Sequence, residues 1–170
     1  MSTITKHSIP TGTWSADPVH SNVAFQIAYA GTNTFRGGFR DYSATVSDGV
    51  LEGSAKVASV DVKDEQLNGH LQTPDFFDAS RFPEIAFRTT DLERGELTIK
   101  GVTRPVEISA SVSEPNVDPF GRERVGITLE ATVDRNEFGV SWNAPNQGGG
   151  NYLGDDVKLT AELALVKQAA

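Results

Sequence analysis

Apolar and polar residues alternate along most of the chain, and a period of two puts successive side chains on opposite faces of a strand. In SADPVHSNVAFQIAYA, residues 15–30, the apolar Val19, Val23, Phe25, Ile27 and Tyr29 share one parity, while His20, Asn22 and Gln26 share the other. The pattern returns in Ile85 and Phe87, in Leu97 and Ile99, and in Val106, Ile108, Ala110 and Val112. It returns again in Val125, Ile127, Leu129, Ala131 and Val133, then in Val157, Leu159, Leu163 and Leu165. Helical periodicity is scarce. Such strands, each with one dry face, predict an antiparallel sheet that buries a single side.

Turn residues separate these runs. SDGV (47–50), ERGE (93–96) and DPFGRE (118–123) supply Asp or Gly where a hairpin must reverse. Within TFRGGFRDYSATV the apolar parity changes from Phe35 and Phe39 to Tyr42, Ala44 and Val46, which predicts a bulge or bend at Gly37 and Gly38. KVASVDV changes phase in the same way near Ser59. Only residues 63–82 break the alternation: Asp64 suits an N-cap and Gly69 a stop for a short helix, with a further helical turn opening at Pro74. Phe76, Phe77 and Phe82 make this insert too aromatic to lie free, and predict a lid or plug. QGGGN (147–151) reads as a flexible loop, without the lysine and hydroxyl residue of a phosphate cradle.

About eight strands with one apolar face bury it either by packing two sheets together or by closing one sheet on itself. A closed eight-stranded barrel is just wide enough to be filled by its own side chains or to hold a small ligand. Alternation does not choose between a filled interior and a hollow one.

Composition narrows the function. A chain of 170 residues suits one domain, read as 13–170 behind a loosely ordered tail at 1–12. A net charge of -8 opposes attraction to nucleic acid or to an anionic bilayer surface. No apolar run reaches the length of a spanning helix, and MSTITKHSIPTGTW lacks the apolar core of a secretory signal, so a cytoplasmic protein without stable membrane insertion is expected. The absence of cysteine excludes disulfides, thiolate nucleophiles and Cys-ligated zinc.

Several blocks in order carry a resemblance: DPVHSNVAFQI (17–27), FRGGFRDYSATV (35–46), HLQTPDFFDASRFPEIAFRTT (70–90), GELTIKGVTRPVEI (95–108), DPFGRERVGI (118–127) and RNEFGVSWN (135–143). From about Trp14 to Val166 the chain resembles the YceI-like family of polyisoprenoid-binding, lipocalin-like proteins. The resemblance implies an all-β fold, an antiparallel eight-stranded lipocalin-like barrel with a short helical insert, holding a long isoprenoid chain and forming a homodimer. It turns the alternating residues into candidate lining: Val23, Phe25, Ile27 and Tyr29 from one wall, Phe87, Ile99, Val106 and Ile108 from others, and Ile127 and Leu129 opposite. Phe76, Phe77, Phe82, Phe138 and Trp142 form a second tier around the plug. Each of these also serves as plain core.

For a phosphate or quinone head, Arg36, Arg40, Arg81 and Arg88 are the basic residues nearest the family blocks, and the arginine fork suits phosphate. They equally balance Asp41, Asp78 and Glu84 on the surface. His20 stands on the polar parity at a strand entrance, where a bond to Asp17 or a backbone carbonyl is the expected role. Catalysis would need an oriented partner, and neither Asp17 nor Ser21 is placed by sequence to give one. His7, His20 and His70 lack metal-ligand spacing, so no metal and no catalytic cofactor are expected. The leading expectation is a non-enzymatic binder of a polyisoprenoid, an isoprenoid quinone or a fatty acyl derivative. The alternatives are a small barrel enzyme using His20 or His70 as base, and a filled, stress-related interaction module.

Overall fold

The computed structural model describes residues 8–169, which form one antiparallel sheet of thirteen strands, a short helix and two 3₁₀ turns. The long C-terminal strand β13 (Leu153–Lys167) organises the sheet, because β1 (Trp14–Ala16) and β2 (Asn22–Tyr29) lie end to end along one of its edges. β3 (Asn33–Phe39) pairs with β2, and its continuation β4 (Tyr42–Ser47) pairs with β1. From β4 the ladders pass to β5 (Val50–Lys56), then β7 (Glu84–Thr89), β8 (Arg94–Ile99) and β9 (Val102–Glu107). Beyond Ile108 the chain enters β10 (Ser109–Val112), which pairs with β12 (Glu123–Asp134), and β12 returns to β13 over eleven residue pairs. The short β6 (Val60–Asp61) pairs with the end of β3, and β11 (Asn116–Val117) pairs with the start of β12.

Eight composite strands thus succeed one another around a barrel, but the expected count of eight holds only loosely. The regular ladders break at joints at 17–21, 40–41 and Ile108, which keep only isolated backbone bonds such as Asp17 N–H to the Ala164 carbonyl and Ile108 N–H to the Glu93 carbonyl, so the sheet is not an unbroken ring. Short bent segments relieve the strain of curling a sheet of this size.

Local chemistry explains the turns, including those read differently from sequence. Asp48–Gly49 and Lys100–Gly101 adopt paired positive φ values of 52° and 77°, and 52° and 75°, which is the backbone a twisted two-residue hairpin demands. The reversal expected at ERGE lies earlier, at 90–93 with Leu92 at φ 60°. There the Thr89 hydroxyl accepts the Leu92 N–H and donates to the Arg94 carbonyl. Gly95 sits inside β8 opposite Thr89, where a Cβ would stand 2.3 Å from the Phe87 ring.

The bend expected at Gly37 and Gly38 is also elsewhere. The β2–β3 register is continuous through both glycines, and the phase changes at Arg40–Asp41, held by the Ser59 hydroxyl accepting the Asp41 N–H at 3.0 Å. The glycines answer a close approach: a Cβ on Gly37 would lie 2.5 Å from the Phe25 ring, and one on Gly38 would lie 2.8 Å from the Val23 carbonyl oxygen. The kink near Ser59 is present as a 3₁₀ turn, Val57–Ser59.

Helix α1 (Glu65–Leu71) starts where Asp64 caps the Gln66 N–H. It runs through Gly69 and ends at Gln72; Pro74 then steers Thr73 away from helix, and 73–82 continue as turns instead of a second helical turn. Of the N-terminal segment, residues 1–7 lie outside the described residues. Ile9 packs against the core, and the Trp14 indole N–H donates to the Thr11 carbonyl.

The interior divides along the barrel axis. At one end Trp14, Val46, Leu51, Leu92, Val112, Val125, Ile127, Leu163 and Leu165 interlock as a packed core. At the other, under α1 and the aromatic turns, Phe39, Leu71, Phe76, Leu97, Ile99, Val106, Val133, Phe138 and Val140 form a second cluster. The close contact at Gly38 yields a stability prediction. Gly38→Ala forces a methyl against backbone and is expected to cost about 1–3 kcal/mol in chemical denaturation. Gly148→Ala, with nothing within 4 Å, should shift stability by less than about 0.5 kcal/mol.

Candidate functional site

The second cluster surrounds a cavity of about 310 Å³, walled almost entirely by apolar side chains. Small inward residues create it. At Gly53 and Ala55 on β5, Ala131 on β12 and Ala161 on β13, the inward position holds a hydrogen or a methyl, so the facing walls do not meet. β2 lies along this cavity, and Val23, Phe25 and Ile27 are only half-buried because they border empty space instead of protein.

Of the sequence-proposed lining, the structure brings Val23, Phe25, Ile27, Tyr29, Phe87, Ile99, Val106, Ile108 and Leu129 to the cavity wall. Phe76, Phe77 and Phe138 join them from the capping turns. Three residues are placed elsewhere. Ile127 has the right parity but sits at the packed end, 1% exposed among Trp14's neighbours. Phe82 packs over the β8–β9 turn, where a Cβ on Gly101 would reach within 2.5 Å of its ring. Trp142 covers the outside of the cap, its ring 4.8 Å from His70 and 5.4 Å from Phe76. Ile85, Leu97, Val157 and Leu159, read from sequence as dry-face residues, also line the cavity, as do Phe35, Phe39, Tyr42 and Leu153, which sequence reasoning did not propose as lining.

None of the four proposed head-group arginines reaches the cavity wall. Arg40 pairs with Asp61 at 3.1 Å and Arg88 with Glu52 at 3.1 Å. Arg81 pairs with Asp78 and lies over the Phe82 ring, while Arg36 is exposed on the outward parity of β3. Strand alternation is the reason: each occupies a position whose neighbours along the strand point inward, or a loop outside the wall.

The arginine that does line the cavity is Arg135, 5% exposed. It opens a 3₁₀ turn, Arg135–Phe138, capped by Asp134 accepting the Asn136 N–H and closed by Gly139 at φ 74°. Its Nε donates to the Gly154 carbonyl at 2.8 Å, and its Nη1 donates to the carbonyls of Val140 at 2.7 Å and Trp142 at 2.9 Å. Burial pulls its pKa down from the usual arginine value, against the attraction of Asp155 and Asp134. One signal for it existed: residue 135 continues the inward parity of Val125 to Val133, so a charge falls on the dry face.

Neither described histidine, His20 or His70, lines the cavity. His20 Nδ1 is 2.7 Å from Asp17 Oδ2 in an exposed corner, and Arg124 bridges Asp17 and Asp118 beside it. Hydrogen bonding to His20 and to the Val19 N–H, with Arg124 adding to both, draws the Asp17 carboxyl down to about 2. Ser21 Oγ accepts the Ala164 N–H, so it is engaged in holding the strand entrance. His70 bonds Asp75 at 2.9 Å and stacks edge-on against Phe76. His7 lies outside the described residues. Among the described residues no group of three or more His, Asp or Glu is placed to hold a metal, and no helix is long and apolar enough to cross a membrane.

Comparison with known proteins matches this geometry. The family model described as the YceI-like domain matches residues 14–165. A UPF0312 protein of Staphylococcus aureus strain USA300 is 29% identical over 157 residues, covering 85% of this chain and 92% of its own. The crystal structure of Burkholderia cenocepacia BcnA superimposes with a TM-score of 0.75 at 21% identity, covering 90% of this chain and 99% of BcnA. A polyisoprenoid binding domain from Saccharophagus degradans, implicated in plant cell wall breakdown, gives 0.75 at 13% identity over 91% of this chain and 98% of that one. The last two establish likeness of fold.

The strand-entrance network predicts an acid-sensitive contribution to stability. The Asp17 pKa is depressed in the folded state relative to an unfolded value of about 3.9, so its stabilisation is complete above about pH 4. That stabilisation is lost as pH falls through about 2. Denaturation curves across pH 2–5 should show wild type losing stability more steeply than Asp17→Asn; parallel curves would contradict the assignment.

Proposed function

The chain belongs to the YceI-like family, and from that premise we propose that it is a non-enzymatic carrier enclosing the apolar chain of a lipophile in the hollow half of its barrel. The observation that carries this reading is the juxtaposition of a packed end and an apolar cavity in one continuous wall. A filled interaction module would have interlocked side chains at both ends. A histidine-based enzyme would bring His20 or His70 to the cavity, and neither lines it. The polyisoprenoid binding domain of Saccharophagus degradans supports an isoprenoid-type ligand through its shared fold.

Magnitudes limit what the cavity does alone. Each buried methylene-sized unit returns about 0.8 kcal/mol, so roughly the first 5 to 19 units only offset the cost of association, about 4–15 kcal/mol. A polyprenyl chain too long for the cavity extends past it or displaces Phe76 and Phe77 from the cap. Polyprenyl phosphates, isoprenoid quinones and fatty acyl derivatives all fit the apolar requirement.

Native mass spectrometry of gently purified protein, with identification of the material extracted into organic solvent, tests the reading directly. A bound apolar molecule is expected; protein that is empty and refuses prenyl and acyl probes would refute it. Ala131→Phe sets a ring into the cavity and should weaken probe binding at least about tenfold while leaving the folded circular-dichroism spectrum intact, since the ring enters empty space instead of packed core.

A further inference from the structure

Arg135 presents a charge problem that the fold leaves half solved. Nε and Nη1 satisfy three main-chain carbonyls and pin the loop at 139–142 to the start of β13. Nη2 is buried and has no hydrogen-bond partner, the one buried side-chain nitrogen or oxygen in that condition among the described residues. A guanidinium serving only to pin loops would spend its fork on carbonyls; here one nitrogen with two donors is left over. The side chain is 95% buried and forms part of the wall of an otherwise apolar cavity. Carbonyl acceptors disperse its charge without cancelling it, and the carboxylates that attract it, Asp134 and Asp155, themselves bond Asn136.

We propose that Arg135 is the head-group anchor of the cavity: its Nη2 binds the anionic oxygen of a single-chain amphiphile, a carboxylate or a phosphate monoester, whose tail fills the apolar space. This rests on the carrier reading and deepens it by assigning an end and a chemistry to the ligand. An anion is favoured over a neutral carbonyl because its attraction to the guanidinium is strong where water is excluded. The head then lies inside the barrel, beneath the cap formed by the 3₁₀ turn and the aromatic insert. Phe76 and Phe138, both on the cavity wall, are the apolar side chains that yield to admit it.

The test uses delipidated protein and three ligands that share a twelve-carbon chain: dodecanoate, dodecyl phosphate and dodecanol. The acids should bind about 10- to 100-fold more tightly than the alcohol, and the tighter of the two acids distinguishes a fatty carboxylate from a lipid phosphate as the natural head. In Arg135→Gln the acids should fall to the affinity of dodecanol. Saturation of wild type with the preferred acid should also shift the guanidinium nitrogen resonances of Arg135, which dodecanol leaves in place; this reading needs no variant to fold. Equal affinity for acid and alcohol in wild type, an unshifted Arg135 signal, or a folded Arg135→Gln that keeps the preference would overturn the anchor while leaving the carrier intact. Failure of all three ligands to bind would overturn the anchor, and if the protein also refuses prenyl probes the carrier reading falls with it.

Discussion

A barrel wall offers one inward position for every two residues, so the volume of the side chains at each level along its axis decides whether that level closes or stays open. In this protein the decision changes midway. Trp14, Leu51, Ile127 and Leu165 fill one level, while Gly53, Ala55, Ala131 and Ala161 leave the next without enough atoms to span it. The packed end supplies the cohesion of the molecule, and the hollow end is tolerable because, Arg135 aside, its wall is almost wholly apolar. Strand β13 joins the two, running from Leu165 in the packed core to Val157 and Leu153 beside the cavity.

Capping the hollow end brings together elements distant in sequence. The helix and turns of residues 65–82 deliver Phe76 and Phe77, and the 3₁₀ turn after β12 delivers Arg135 and Phe138. Lys100, at the β8–β9 reversal, donates to the carbonyls of Pro74 and Gly139 and so ties both pieces to the barrel rim. The cap therefore rests on polar bonds at its outside and aromatic contact on its inside. Such a cover opens at less cost than the packed end, where every displacement would break interlocked side chains.

Parity was enough to identify most of the wall. Val23, Phe25 and Ile27, or Val106 and Ile108, could be assigned to the interior from alternation and the family resemblance, and their positions follow. Ile127 shows the limit: it shares the parity of Leu129, two residues on, and both pack in the core cluster, yet only Leu129 also borders the cavity. Gly37 and Gly38 show another, since a glycine admitting a neighbouring ring or carbonyl is indistinguishable in sequence from one that bends the chain. The basic residues were sought next to family blocks on the outer face, while the one that borders the cavity, Arg135, sits where the dry face of β12 runs out.

Sequence by itself determined that the strands are one-sided, that most pair as sequential hairpins, and which side of most is dry, since these depend on neighbours two residues apart; Val19, on the dry parity of a strand read as continuous over 15–30, is exposed at the break between β1 and β2. The level of each inward residue along the barrel axis, the meeting of small residues from β5, β12 and β13 around one space, and the burial of Arg135 beside it were decided only in three dimensions. They arise from register between strands far apart in the chain, and register is a relation that no single strand contains.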